Sequence, residues 1–306
     1  MSKKILVSGA NGFVGQHLLK EFDAHKIETI GIGGPDSYSD RSSWLSLDLL
    51  DPRAVSEIDF RDVSGVVHLA GLAAVGPSYD EPMRYVETNV GIEVNLFEAA
   101  RAQKARPRFL IISSGALYDP SAKQPLNEKS EVVPNSPYAV SKLSQEYMAL
   151  YYQRIGFECI ITRPFNHIGP GQGPGFIVPD LAEQIVSVAR GRQQEIKVGN
   201  LDAKRDYTDV RDIVRAYRLL LEKGKPGATY NVCSGTVRSG HEILSGLMQA
   251  AGVNYPVKQD PAKLRPSDTP VLMGSHDKLT ADTGWLPEIP LNKTLSDVIA
   301  ELKLKA

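Results

Sequence analysis

Three glycines placed directly after the first apolar segment limit most strongly what this chain can fold into. Residues 4–7 are typical of a buried strand, and Gly9, Gly12 and Gly15 follow with the spacing GxxGxxG as a helical pattern begins. Glycines in such a turn let the backbone approach a phosphate, and the helix that starts there presents N–H groups and a positive dipole end to an anion. Between a predicted strand and a predicted helix, this motif indicates a site for the pyrophosphate of a dinucleotide.

Short apolar segments alternate with helical patterns along the first part of the chain. The apolar segments lack polar alternation, which is typical of a parallel sheet covered by helices on both faces. We therefore predict an α/β fold with a doubly wound parallel sheet, the Rossmann class. The predicted strands are residues 4–7, 28–32, 65–69, 108–112, 158–162 and 229–232, and the predicted helices are residues 12–22, 83–103, 138–155, 209–222 and 291–303.

Glycine and proline cluster in residues 168–175, and this change of composition indicates a second, smaller lobe. We predict a dinucleotide-binding domain over residues 1–166 and a substrate-binding lobe over residues 167–306. Residues 208–233 are expected to return to the first domain, because they combine a helical pattern with another buried strand.

The bulk composition excludes several classes of protein. A chain of 306 residues with 42% hydrophobic and 23% charged residues suits a globular protein with a sizeable core. A formal net charge of −1 favours neither nucleic acid nor an anionic membrane, so we expect neither as a partner. Cys159 and Cys233 stand alone in apolar segments, which predicts buried thiols and no metal site. No segment suits a signal peptide or a membrane span, so we expect a cytoplasmic protein.

The end of the second predicted strand bears on the choice of cofactor. An acid at this place accepts hydrogen bonds from the ribose of NAD and repels the 2′-phosphate of NADP. The chain has Gly33 there, with no adjacent arginine, so the sequence favours NADP and leaves NAD possible. A loop that brings Asp36 or Arg41 back to the strand end would change this interpretation. Downstream, Asp48 could accept a hydrogen bond from adenine, whereas Asp51 could simply cap a helix.

Tyr138 and Lys142 form a YxxxK pattern on a predicted helix. Residues four apart share one helix face. An ammonium beside a phenol lowers a pKa that starts at about 10, which lets the tyrosine exchange a proton with a carbonyl or alcohol oxygen. Ser114 ends the preceding predicted strand, at the edge of the sheet where ligands bind in this fold class. The three residues are therefore candidate catalytic groups.

These motifs, together with several others, come in the order typical of the extended short-chain dehydrogenase/reductase family, which they resemble over essentially the whole chain. The resemblance rests on the glycine motif, Asp48, residues 68–71, Asn89, Ser114, the YxxxK pair and residues 163–166. It implies that Tyr138 is the acid/base, that Lys142 binds the nicotinamide ribose, and that Ser114 orients the reacting oxygen. Asn89 would hold the helix of Tyr138 in register.

The same resemblance implies a larger set of cofactor-binding residues. They are Gly9, Asn11, Gly12, Phe13, Val14, Gly15, Asp48, Leu49, Leu69, Ala70, Gly71, Tyr138, Lys142, Pro164 and Phe165.

Segments of the C-terminal part resemble the branch of the family that acts on GDP-linked sugars, and the reductases of that branch more than its dehydratases. By this resemblance Arg205 and Arg265 bind the diphosphate, which two guanidinium forks suit better than lysines would. The alternative is that Arg205 pairs with Asp206 or Asp209 on a surface turn. The implied substrate-binding residues are Asn166, Val178, Lys197, Arg205, Arg265 and Asp268.

One departure from the family bears on the reaction. Nucleotide-sugar 4,6-dehydratases of this family usually follow the catalytic hydroxyl with an acidic pair, but Ser114 is followed by Gly115 and Ala116. We therefore expect NADPH-dependent reduction of the 4-keto group of a GDP-4-keto-6-deoxyhexose, giving a GDP-6-deoxyhexose of the rhamnose type. The alternatives are a nucleotide-sugar 4-epimerase, a GDP-mannose 4,6-dehydratase, and a non-enzymatic NADP-binding sensor or scaffold.

The helices predicted at 83–103 and 138–155 carry apolar residues beyond one face. Related enzymes pair these helices between subunits, which implies a homodimer. The alternative is that the same side chains are buried within one subunit. The residues concerned are Val94, Phe97, Tyr147, Tyr151 and Tyr152.

Overall fold

The computed structural model of the chain describes residues 4–263 and 270–305 and is built from strands and helices that alternate. In chain order the strands are β1 (Lys4–Ser8), β2 (Thr29–Gly33), β3 (Trp44–Ser46), β4 (Val63–His68), β5 (Arg108–Ile112), β6 (Glu158–Pro164), β7 (Asn166–Ile168), β8 (Ile196–Val198), β9 (Lys204–Asp209), β10 (Thr229–Val232), β11 (Val237–Ser239), β12 (Val257–Gln259) and β13 (Val271–Leu272). The helices are α1 (Phe13–Ala24), α2 (Pro52–Ser56), α3 (Pro82–Ala102), α4 (Pro137–Arg154), α5 (Ile177–Ala189), α6 (Val210–Lys223), α7 (Gly240–Ala251), α8 (Asp277–Thr283) and α9 (Leu291–Lys305).

Seven of the strands form one parallel sheet in the order β10-β6-β5-β4-β1-β2-β3. Successive side chains of a strand point to opposite faces, and here both faces are buried. Leu6 on β1 belongs to the apolar cluster under α2, α3 and α4, whereas its neighbour Val7 belongs to the cluster under α1, α6 and α8. The sheet is therefore covered by helices on both faces, and the predicted doubly wound α/β class is confirmed.

A stack of aromatic rings fixes α3 and α4 against the sheet. The Phe97 ring on α3 lies between Phe109 on β5, at a centroid distance of 3.9 Å, and Tyr152 on α4, at 4.1 Å. Phe97 is completely buried and Tyr152 is 2% exposed. These two residues are therefore packed within one subunit, and the sequence-based assignment of both to a subunit interface is wrong.

A second group of elements, called the second layer below, surrounds β9. Strands β7, β11 and β13 pair with β9, β8 pairs with β12, and α5, α7 and α9 enclose a separate apolar cluster. Strand β10 leaves this region and pairs in parallel with β6, while α6 packs on α1. The chain thus crosses between the two layers more than once, which brings β9 close to the ends of the central strands.

Sequence patterns missed several elements of the structure. Strand β3 and the strands of the smaller layer have two to six residues, too few for a periodic pattern to stand out. Helix α7 carried a usable signal, since Ser239 and Glu242 form a capping box at its start. The bounds of two strands also differ from the prediction. The strand predicted at 28–32 is Thr29–Gly33, and the strand predicted at 65–69 is Val63–His68. In the part of the chain that the structure describes, no helix has the length and apolarity needed to cross a membrane.

The aromatic stack gives a test of the core. Phe97→Ala removes the central ring and leaves a cavity, so we expect the free energy of unfolding to fall by about 3–5 kcal/mol. Urea titration followed by circular dichroism measures it. Tyr38→Ala is the matched control: Tyr38 is 84% exposed, and its loss should change stability by about 0.5 kcal/mol or less. Equal effects of the two variants would show that the stack carries no special share of the stability.

Candidate active site

The site lies at the carboxyl ends of the central strands, beside the point where the strand order reverses. From β1 the chain runs outward to β2 and β3, and β4 then returns to the other side of β1. The turn after β1 is tight: Gly9 has a φ of +68°, and a Cβ at Gly15 would lie 2.3 Å from the Gly9 carbonyl oxygen. A Cβ at Gly9 would lie 2.8 Å from the backbone nitrogen of Ala70. The turns after β1 and β4 therefore touch, and both need small residues.

The start of α1 suits an anionic group. Gly12 is the N-cap residue, and within the described chain neither a side-chain cap nor an acidic residue occupies the first turn of α1. Asn11 and Gly12 are exposed. Free N–H groups at the positive end of a helix dipole are the donors that a pyrophosphate requires. The residues present thus fit a dinucleotide.

The end of β2 is covered by the loop that follows it. A Cβ at Gly33 would lie 2.1 Å from the Ser37 hydroxyl oxygen and 2.6 Å from the Trp44 ring, so the packing excludes an acidic side chain here. Arg41 donates to both carboxylate oxygens of Asp23 on α1. Its guanidinium is therefore paired with a carboxylate of α1.

The two acids after β3 have different environments. Asp48 is exposed and accepts a hydrogen bond from the Leu50 N–H at 2.9 Å, and Leu49 between them is buried. Asp51 accepts from the Arg53 N–H at 2.9 Å and caps α2. Asp51 is thus a capping residue, while Asp48 keeps an exposed carboxylate near the strand ends.

Asn89 joins three elements around the site. It is completely buried, accepts from the Leu72 N–H at 2.7 Å and donates to the Ser141 hydroxyl at 2.9 Å. A Cβ at Gly71 would lie 2.5 Å from the Asn89 amide oxygen. Asn89 on α3 therefore connects the turn after β4 with α4, the helix that carries the YxxxK pair.

Ser114, Tyr138 and Lys142 meet where β5 ends and α4 begins. The Ser136 side chain caps α4, and Pro137 occupies its first turn, so Tyr138 lies at the very start of the helix. Ser114 accepts from the Ala116 N–H at 3.1 Å, which leaves its own proton available for donation. Lys142 donates from Nζ to the carbonyl oxygen of Ile112 at 2.9 Å.

Burial dominates the titration of these groups. The pKa of Tyr138 is raised overall: burial raises it, the interaction with Ser114 lowers it, and Tyr85 raises it again. The lowering expected from the Lys142 ammonium is not found, because Lys142 is not among the groups that act on the phenol. Burial lowers the pKa of Lys142 to about 8, and the carboxyl of Glu93 opposes that change. The lysine is therefore poised to change its charge close to neutral pH. Among the described residues no group of three or more histidine, cysteine or acidic side chains could hold a metal ion.

A buried ion pair next to the site was missed from sequence. Arg163 at the end of β6 donates to both oxygens of Glu146, at 2.8 and 2.7 Å, and the Ser113 hydroxyl donates to Glu146 at 2.6 Å. Glu146 follows Lys142 by four residues, so the helix places both on one face. This four-residue spacing is the sequence signal that could have identified Glu146 as a residue beside the site. The pair fixes α4 to the ends of β5 and β6.

Pro164 and Phe165 follow Arg163, and both are buried beside the strand ends. A Cβ at Gly115 would lie 2.9 Å from the Phe165 ring. Gly115 is therefore required by the packing of Phe165, and an acidic side chain has no room at this position.

The proposed substrate residues are distributed along the second layer. Asn166 is exposed at the start of β7, and Lys197 is exposed on β8. Arg205, half-buried on β9, donates to the Lys204 carbonyl oxygen at 3.0 Å. The side chain of Val178 is completely buried in the apolar cluster of this layer. Arg265 and Asp268 lie outside the described residues.

Arg238 is a further candidate that the sequence did not suggest. It lies opposite Arg205 in the antiparallel pair of β11 and β9. Two cations at opposite positions of a strand pair suit a bound anion, and Arg238 also forms an ion pair with Glu242 at 3.4 Å. The acids considered as partners of Arg205 are engaged elsewhere: Asp206 accepts from Ser234 and Gly235, and Asp209 binds Arg211.

Taken together, the parallel sheet, the glycine turn at the strand reversal and the Ser–Tyr–Lys group define a Rossmann-type α/β protein with a dinucleotide site. The model of the NAD dependent epimerase/dehydratase family matches residues 5–233. The chain belongs to this family, the one its motifs resemble.

The matches with individual relatives cover nearly the whole chain. GDP-6-deoxy-D-mannose reductase of Pseudomonas aeruginosa is 35% identical over 305 residues, which is 98% of this chain and 97% of the relative. UDP-glucose 4-epimerase 2 of Oryza sativa is 27% identical over 96% of this chain and 80% of its own length. The solved structure of RMD from Pseudomonas aeruginosa complexed with NADPH has a TM-score of 0.87 and 33% identity, and the match covers 99% of this chain and 100% of that one.

Proposed function

We propose that this protein reduces the 4-keto group of a GDP-4-keto-6-deoxyhexose with NADPH and releases a GDP-6-deoxyhexose. The observation that carries the proposal is the arrangement at the end of β5. There Ser114 and Tyr138 meet beside the glycine turn, and Gly115 and Ala116 supply no carboxylate for loss of water. Similarity to the GDP-6-deoxy-D-mannose reductase of Pseudomonas aeruginosa over nearly the full length supports the GDP-linked substrate.

When bound, NADPH supplies the hydride that reaches the carbonyl carbon of the sugar. Tyr138 donates its phenolic proton to the carbonyl oxygen as that oxygen gains negative charge. Ser114 donates a hydrogen bond to the same oxygen, because accepting from the Ala116 N–H leaves its own proton free for donation. The ammonium of Lys142, held by the Ile112 carbonyl, would bind the nicotinamide ribose.

NADP is favoured over NAD by the end of β2. Ser37 and Trp44 occupy the space where an acidic residue at position 33 would stand, so no carboxylate repels a 2′-phosphate from that position. The solved structure of RMD with NADPH supports the same choice. The start of α1, from Asn11 to Val14, would hold the pyrophosphate through backbone N–H groups, and Asp48 would face the adenine.

The diphosphate of the substrate requires cations on the second layer. Arg205 and Arg238 stand opposite each other there, and both could donate paired hydrogen bonds to phosphate oxygens. The resemblance adds Arg265 and Asp268. Asn166 and Lys197 are exposed on neighbouring strands and complete the proposed set.

Exposed apolar residues on α3 and α4 support a homodimer. On α4, Tyr147 is 66% exposed and Tyr151 52%, and Val140 and Leu150 are also exposed; on α3, Met83 is exposed. Several large apolar side chains exposed together commonly mark a protein–protein interface.

A reducing compartment suits the two cysteines. Cys159 and Cys233 are free and buried, and burial raises the pKa of both thiols. We therefore place the reaction in the cytoplasm.

The reaction can be tested in one cuvette containing GDP-mannose, a separate 4,6-dehydratase and NADPH. We expect absorbance of NADPH to fall only when the dehydratase and this protein are both present. Tyr138→Phe should lower the rate by about 10²–10⁴-fold, because it removes the proton donor. Conversion of a nucleotide sugar without net loss of NADPH would indicate an epimerase instead. Keto-sugar formation by this protein alone would make it a dehydratase.

The role of Arg205 can be measured from the same assay. Arg205→Ala should raise KM for the sugar by about 10- to 150-fold, which corresponds to about 1.5–3 kcal/mol for a charge-assisted hydrogen bond. The affinity for NADPH should stay the same. Arg192→Ala, which removes an exposed arginine from the second layer, is the control. If both ligands bind Arg205→Ala more weakly, the residue is structural.

The homodimer is tested by sedimentation velocity at micromolar concentration. Wild-type protein should sediment as a dimer, and the double variant Tyr147→Glu, Tyr151→Glu should sediment as a monomer, because it places charges in an apolar interface. Tyr38→Glu changes an exposed tyrosine elsewhere and should remain dimeric. A monomeric wild-type protein would refute the proposal.

A further inference from the structure

A chain of buried polar side chains connects the glycine turn after β1 with the start of α4. Its members are completely or almost completely buried, and they are Ser8, His68, Asn89, Ser141 and Gln145. They come from β1, β4, α3 and α4, so the chain crosses four elements of the fold. Buried polar groups cost free energy unless they are hydrogen-bonded. Such a chain in place of apolar side chains therefore calls for a functional explanation.

One end of the chain lies at the glycine turn, because Ser8 directly precedes Gly9. The Ser8 hydroxyl oxygen accepts from the Leu69 N–H at 3.1 Å and from the Ala70 N–H at 3.2 Å, and it lies 2.9 Å from Nδ1 of His68. The Leu69 N–H is shared with the Ser8 carbonyl oxygen, at 3.3 Å. Ser8 thus joins the turns after β1 and β4, and His68 joins both to the rest of the chain.

The other end of the chain reaches the backbone of Tyr138. The Gln145 side-chain nitrogen donates to the Asn89 carbonyl oxygen at 2.9 Å, and the Asn89 side-chain nitrogen donates to the Ser141 hydroxyl at 2.9 Å. The Ser141 hydroxyl donates to the Tyr138 carbonyl oxygen at 2.8 Å. These bonds all run in one direction, from Gln145 towards the residue that carries the phenol.

His68 joins the two halves, and the geometry allows it one arrangement of protons. Nε2 of His68 lies 3.1 Å from the Gln145 side-chain nitrogen. Turned the other way, the Gln145 amide would place its oxygen 2.9 Å from the Asn89 carbonyl oxygen, and two acceptors repel each other. The nitrogen of Gln145 therefore donates to both groups. Nε2 of His68 must accept, so the ring proton lies on Nδ1 and faces Ser8.

The same contacts exclude a charged imidazole. A second ring proton would sit on Nε2 and point at the N–H of Gln145, which would place two donors against each other. Burial also lowers the pKa of His68 to about 3, which agrees with the neutral form. The chain is therefore complete with one tautomer of one protonation state.

We propose that His68, as the neutral Nδ1–H tautomer, is a positioning residue that ties the glycine turn to the start of α4 through Gln145. The inference rests on the proposed function only in taking the turn as the cofactor site and Tyr138 as the proton donor. His68 itself touches neither reactant. The turn and the helix carry the two partners of the reaction, and a misplacement of about 1 Å between such parts can lower a rate about 10²-fold.

Removal of the link should therefore lower turnover without weakening the binding of either ligand. In His68→Leu we expect kcat to fall about 10- to 100-fold, while KM for the sugar and Kd for NADPH stay within about twofold of wild type. Gln145→Leu should have the same effect, and the double variant should be no slower than the slower single variant, because all three interrupt one chain. His25→Leu removes an exposed histidine from the end of α1 and is the matched control, with unchanged kcat.

Two conservative variants separate the link from the burial of a polar group. His68→Asn places an amide nitrogen near the position of Nδ1 and retains the contact with Ser8 alone. His68→Gln places an amide oxygen near the position of Nε2 and retains the contact with Gln145 alone. Both should turn over at a rate close to that of His68→Leu. A rate closer to wild type in either one would show that a single contact suffices, and weaker binding of both ligands in His68→Leu would show general structural damage. Each of these results would overturn the proposal.

The tautomer can be measured without substrate and without any variant that fails to fold. Long-range proton–nitrogen correlation spectra of protein with nitrogen-15-labelled histidine distinguish the two neutral tautomers and the imidazolium, and backbone correlations assign the His68 signal. We expect the Nδ1–H tautomer both with and without NADPH. An Nε2–H tautomer or an imidazolium would sink the proposal whatever substrate the enzyme uses. If the tautomer is as expected but the keto sugar is not reduced, only the proposed function fails, and the same variants are then compared on the nucleotide sugar that is converted.

Discussion

The position of Tyr138 depends on how helix α4 is fastened to the sheet, and the fastening is a buried ion pair. Arg163 ends β6, Glu146 lies two turns along α4 from the tyrosine, and the two side chains share two hydrogen bonds. Such a pair contributes little to stability by comparison with apolar packing, because both charges lose water. Its geometry is demanding, however, since a planar guanidinium meets a carboxylate in one orientation. We infer that the pair specifies where α4 lies more than how firmly it is held.

The other links to α4 converge on the same end of the helix. Lys142 donates to the last residue of β5, and Asn89 binds Ser141 from α3. The three links reach three neighbouring elements, so a shift of α4 along any direction would break at least one of them. Apolar packing alone, which tolerates small slips, would not fix a phenol to within the distance that proton transfer requires.

Packing and chemistry are connected at Gly115. The Phe165 ring lies against this glycine and also against Gly274, where a Cβ would lie 2.7 Å from the ring. The ring can reach this place only because both positions lack side chains. The same glycine that admits Phe165 removes the position at which a dehydratase would carry an acid. The packing around β5 and β6 thus leaves no room for an acid at one of the two positions that follow Ser114.

The sequence predicted the central sheet well and the second layer poorly, for physical reasons. Strands β1, β4, β5 and β6 are buried on both faces, so each is a continuous apolar segment that stands out. The strands around β9 are short and partly exposed, and their pairing joins segments far apart in the chain. Tyr138 and Lys142 were found because their spacing is local. Glu146 was missed because one acid on a long helix resembles any surface residue until its burial is known.

Strand β9 finally explains how the two layers can form one site. Successive residues of a strand point to opposite sides, and on β9 Arg205 is half-buried while Asp206 is buried. Asp206 accepts hydrogen bonds from Ser234 and Gly235, which directly follow β10 of the central sheet. The inner side of β9 is therefore tied to the sheet that carries Tyr138. Because Arg205 is the adjacent residue, the same anchor holds its backbone in place relative to the central sheet.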